Sequence, residues 1–162
     1  MNTIYRSLLT AIFQLIIIAG IQAQDSQSKL NQIELMKQFI GTWKCELGKD
    51  TFLITQTKPF GTGMISKSKM FTKDNVLDSI IQVFGFDKKA DKFILAELIK
   101  SSQTIEICST WFTSNKTGEI LIINPEKAPL KFKFEFKSPT SLVQTAIYDD
   151  KVVKVVTGVK LE

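Results

Sequence analysis

From residue 41 onward the chain alternates apolar and polar positions with a period of two. Short breaks rich in Gly, Asp, Asn, Pro and Lys interrupt it every 10–13 residues. A period of two puts successive side chains on opposite faces of a strand. The strands read this way are Thr42–Leu47, Thr51–Thr57, Gly63–Thr72, Val76–Phe86, Lys92–Ile99, Gln103–Thr113, Glu119–Ile123, Leu130–Lys137, Ser141–Tyr148 and Val152–Leu161. The eighth is the clearest: Phe132, Phe134 and Phe136 share one face, and Lys131, Lys133, Glu135 and Lys137 the other. A register slip of one residue would put all three rings in water. The sixth alternates less cleanly, with Ile105, Ile107, Ser109 and Trp111 against Glu106, Cys108, Thr110 and Phe112. Mixed faces of that kind fit a wall that borders a partly polar cavity.

One segment has a helical period instead. Over Ser28–Ile40, Leu30, Ile33, Met36 or Lys37, and Ile40 recur three to four residues apart. Ser28 is placed to cap the start, with Asn31 three residues on, and Gly41 ends the segment. Short turns join neighbouring antiparallel strands, and long crossovers are missing, so the pattern predicts a meander rather than a Greek-key sandwich. A flat meander leaves two unpaired edges, which closure removes. The expectation is an all-β fold: an up-and-down antiparallel β-barrel of about ten strands with a short N-terminal helix. At the head of the first strand, Gly41 lets the chain bend tightly and Trp43 offers a large ring to plug the barrel floor.

Residues 1–23 are set apart from this fold. Met1–Arg6 carries one positive charge, Leu8–Ile21 is nearly all apolar, and Ala23 offers a small residue before polar Gln24–Ser28. That is the three-part pattern of a signal peptide cut near Ala23. A retained anchor is the alternative, but the apolar run is shorter than the ~20 residues that span a bilayer. The expected organisation is a leader over 1–23 and one barrel domain over 24–162. The product would be secreted or periplasmic, with no stable membrane insertion after cleavage.

Charge and rare residues narrow the chemistry. The formal net charge is +5, yet Arg6 is the only arginine and the lysines are interleaved with acids along the strands. Arginine is the preferred bidentate group for phosphate and guanine, so nucleic acid is not an expected partner. The chain has no histidine. Ser-His and Cys-His dyads are therefore excluded, and two cysteines alone cannot build a tetrahedral zinc site. No phosphate loop or calcium loop is present, so no metal and no cofactor are expected. Asp149-Asp150 reads as a solvated hairpin turn, and nothing in the spacing of Glu97, Glu106 and Glu135 pairs them for acid–base work.

Cys45 and Cys108 remain. Export would permit a disulfide, but Cα atoms more than about 7 Å apart are not bridged, and two buried free thiols are expected over a bridge. Cys45 shares a face with Trp43 and is the one candidate nucleophile. Without histidine, only a nearby lysine would be left to lower its pKa. The favoured reading of Cys45 is a small buried hydrophobe.

Gly41-Thr42-Trp43, after a short helix and at the head of a ten-strand meander, resembles the lipocalin-like members of the calycin superfamily, especially small bacterial domains of that type. The resemblance covers about residues 30–161. It implies a barrel open at one end with an apolar interior, and structural rather than ligand-binding roles for Gly41 and Trp43. In that family a basic residue of the last strand, usually arginine, packs on the tryptophan. Here Lys154 or Lys160 would have to serve. A ten-strand relative holds haem through histidine, which this chain lacks.

These readings converge on a binding module for a small apolar molecule, without catalysis. The expected ligand contacts are Phe84, Trp111, Phe132, Phe134 and Phe136, with Gln82, Gln144 and Tyr148 as orienting polar groups. Two alternatives stay open: a lipid isomerase-type enzyme using Cys45, and a solid-core structural or interaction barrel. An internal cavity of ~300 Å³ or more separates the last from the first.

Overall fold

The computed structural model describes residues 29–73, 75–124, 126 and 128–161. The leader read over 1–23, and Ser28, lie outside the described residues. Ten strands follow one another in chain order: β1 (Gly41–Gly48), β2 (Thr51–Phe60), β3 (Gly63–Thr72), β4 (Asn75–Asp87), β5 (Lys92–Ile99), β6 (Ile105–Phe112), β7 (Thr117–Asn124), β8 (Leu130–Ser138), β9 (Ser141–Tyr148) and β10 (Lys151–Leu161). Each pairs antiparallel with its neighbours, and β10 returns to pair with β1, so the sheet is a closed up-and-down barrel. β3, β5 and β9 have the bounds read from the sequence. The others differ by a few residues at their ends, where pairing rather than alternation decides.

The turns explain the closure. Asp50, Lys73, Asp91, Asp149 and Asp150 all have positive φ, the backbone that tight hairpins require. Asp149 and Asp150 form the two-residue turn between Tyr148 and Lys151, and Asp150 also bonds Lys131 Nζ at 2.7 Å on the neighbouring hairpin.

The helical segment is shorter than its periodicity predicts. Helix α1 spans Gln32–Met36 and runs into a 3₁₀ turn over Lys37–Phe39. Asn31, not Ser28, caps it: its Oδ1 accepts from the Glu34 N–H at 3.2 Å. The buried stripe also differs. Ile33 is 42% exposed, whereas Gln32 and Met36 are buried. Gln32 faces inward because its amide grips the barrel. Its Nε2 donates to the Phe112 carbonyl at 3.0 Å, and the Phe112 N–H donates to its Oε1 at 2.7 Å. Both backbone groups would otherwise lack a strand partner at the end of β6. Apolar periodicity alone does not see an amide in that role.

The helix and the aromatic floor close one end. Trp43 is 3% exposed, and its indole N–H donates to the Phe39 carbonyl at 3.0 Å. Phe136 meets the indole edge-on at 5.9 Å, and Phe39, Phe112 and Phe134 complete a tilted and edge-to-face cluster. Gly41 has φ +125°, and a Cβ there would strike Lys160. Lys160 pairs in register with Trp43 and holds its ammonium 5.4 Å from the indole centroid. Of the two lysines considered, Lys160 thus takes the position on the ring.

Candidate functional site

Above that floor the barrel is hollow. The interior holds a cavity of about 260 Å³, floored by Met36, Phe39 and Trp43 and walled by residues of eight strands. That is just under the roughly 300–1,000 Å³ of drug-sized ligand sites, so only a small molecule would fit. The outer wall has shallower grooves, one of about 500 Å³ beside Ile54, Phe71 and Ile81, but these are open to solvent.

The cavity has two sides. Ile120 on β7 and Leu142 on β9 continue the apolar floor upward. Facing them, β2 to β5 present polar groups. Thr55 Oγ1 and Ser68 Oγ lie 2.8 Å apart, as do Thr57 Oγ1 and Ser66 Oγ, each a hydroxyl pair across β2 and β3. On the next pair of strands Gln82 Nε2 donates to Glu97 Oε2. Gln144 lies on β9, across the cavity from them. Such convergent polar groups in a mostly apolar pocket orient a ligand.

The register places each residue expected at the site. Gln82, Phe84 and Gln144 line the cavity. Phe134 and Phe136 are buried in the packed floor beneath it. Phe132 shares their inner face nearer the mouth, opposite Ile120 and Ala146. Trp111 stands on the outer wall, because Thr110 and Phe112 take the inward positions of β6, and Lys92 Nζ sits 3.5 Å from its ring centroid. Tyr148 is 52% exposed at the end of β9, on the rim. Neither lines the cavity. Conversely, Thr55, Thr57, Ser66, Ser68 and Glu97 do line it and were not expected there. Their signal was present in Ser66-Lys67-Ser68-Lys69, where small hydroxyls alternate with charged residues that must face water.

Both thiols are free. Cys45 lines the cavity, but burial, and then Glu46, push its pKa up, away from a reactive thiolate. Burial, helped by Glu97 and Glu106, pushes Cys108 up to about 11. Against the ordinary value of 9.0, that cuts the thiolate fraction at pH 8 by roughly 100-fold. Native Cys108 should therefore resist iodoacetamide at pH 8 and react only as the pH approaches 11. In denaturant it should react at the rate of an ordinary thiol. Peptide mapping after timed alkylation reads both rates, and rapid native labelling at pH 8 would count against a buried, protonated Cys108.

No family model matches the chain, and no curated protein matches it. The ten-strand antiparallel barrel is consistent with a lipocalin-like fold. Among the described residues no helix is long and apolar enough to cross a membrane, and no group of three or more His, Cys, Asp or Glu could hold a metal ion.

Proposed function

We propose that this chain is an exported, lipocalin-like container of the calycin type that holds one small hydrophobic molecule inside its barrel. The observation that carries the reading is the floored, closed barrel with its interior cavity. A solid-core barrel would have no such space. Gln82, Phe84 and Gln144 are the proposed ligand contacts. Phe134 and Phe136 support the floor, and Phe132 borders the route inward. Val76, Leu77, Ile105, Ile123, Val152 and Val153 are exposed at the ends of strands on the open side, as Ile81, Val83, Val155 and Val159 are along the outer wall.

The test is native mass spectrometry of delipidated protein against a panel of uncharged hydrophobes, sterols, fatty acids and hydrophobic amines. At least one member is expected to remain bound at one copy per chain. A barrel that retains none of them is not a container.

A further inference from the structure

The cavity is charged on one side and with one sign. The chain carries 21 lysines and arginines, and its formal net charge is +5. Yet among the described residues no basic side chain lines the interior cavity, whereas one carboxyl does, that of Glu97 on β5. Gln82 on β4 fixes that carboxyl by donating to Oε2. Glu97 takes part in none of the salt bridges among the described residues. The charged group in register with it, on β6, is Glu106, another acid. Cys108 on β6 is the other titratable neighbour, and it is held protonated.

A half-buried carboxyl beside a like charge is unfavourable. Burial, with Glu106 adding to it, raises the Glu97 pKa, while the Gln82 bond opposes the rise. What would relieve the site is a donor or a cation brought from outside.

We propose that Glu97, positioned by Gln82, is the recognition group of the cavity, and that the molecule it selects is a small hydrophobic amine, bound as its ammonium, in preference to a carboxylic acid. The proposal rests on the container reading above and names its ligand class. The hydrocarbon body would lie against Phe84, Ile120 and Leu142, with the ammonium on Glu97 and within the polar arc. A charge-assisted bond is stronger than its neutral counterpart. A carboxylate in the same place would meet a like charge and find no cation.

Three probes of one shape separate the possibilities: 3-phenylpropylamine, 3-phenylpropanol and 3-phenylpropanoic acid. Their binding is measured by calorimetry at pH 7 on wild type and Glu97→Gln. Wild type is expected to bind the amine best and the acid worst. Glu97→Gln should weaken the amine by at least about tenfold, weaken the alcohol by clearly less and strengthen the acid. The variant keeps an acceptor for Gln82 and loses the desolvated charge. A raised folded pKa means that stability is lost as the pH rises past the ordinary carboxylate range. The variant should therefore melt no lower than wild type at pH 7, which shows that it is folded. An acid bound as tightly as the amine, or an amine indifferent to the substitution, overturns the proposal and leaves the container standing. Failure of all three probes, the uncharged alcohol included, counts against the container itself.

Discussion

Replacing Trp43 with alanine is expected to lower the stability of the barrel by about 3–5 kcal/mol, the cost of truncating a large aromatic in a packed core. The indole is buried against Phe136, carries the Lys160 side chain, and ties β1 to the helical segment through the Phe39 carbonyl. Its removal leaves a void in the floor, and the Phe39 carbonyl loses its donor. Domains of this size are stable by only about 5–15 kcal/mol, so the variant keeps a small margin. A denaturant titration with unchanged m-value and a lower midpoint is the expected signature. Trp43→Phe should cost less, because the ring volume is partly restored, although the N–H is not. A loss below about 1 kcal/mol for Trp43→Ala would mean that the indole does not hold the floor together.

A single methyl group is the second. Gly118 begins the inward face of β7, opposite Phe112 and Phe134 in register. A Cβ there would run into the Phe134 ring and the Trp111 carbonyl oxygen. The ring has little room to yield, since Phe112 and Phe39 meet it edge-on at 5.0 and 5.2 Å. The carbonyl belongs to the strand ladder and moves only with the backbone. Gly118→Ala should therefore cost about 3 kcal/mol, at the upper end for overpacking by one group. Gly85 on β4 supplies the control, because a Cβ there meets nothing within 4 Å. Gly85→Ala should change stability by less than about 0.5 kcal/mol, or raise it slightly through the unfolded chain. Equal effects at the two glycines would show that the contact with Phe134 is not the cause.

These two sites differ in how far they could be read in advance. Trp43 was legible: a glycine, one residue and a tryptophan at the head of a strand series announce a floor. The strand series itself was legible too, because turn residues mark every hairpin and the meander offers no other neighbour for most strands. The tight packing at Gly118 was not, since it depends on which ring crosses the barrel at that height.

The cavity was legible only in part, for one physical reason. A period of two defines two faces of a strand but does not say which is inside. Where the interior is dry and packed, the apolar face goes in, and β8 follows that rule. Where the interior is a cavity, the rule weakens or reverses. On β6 the inward positions include Cys108 and Thr110, while Trp111 and Ile107 face out; on β3 the inward positions include Ser66 and Ser68. The helical segment failed in the same way, because its most buried polar residue, Gln32, is held by backbone groups of a strand 80 residues away.

By itself, then, the order of apolar and polar residues determined the strands, the turns and the stopper of the tube, since these follow from local periodicity and local backbone preference. Around the cavity, which face of a strand looks inward was decided by tertiary pairing. Closing β10 onto β1 fixes the register all round, and that register alone carries Gln82, Glu97 and Gln144 to one cavity.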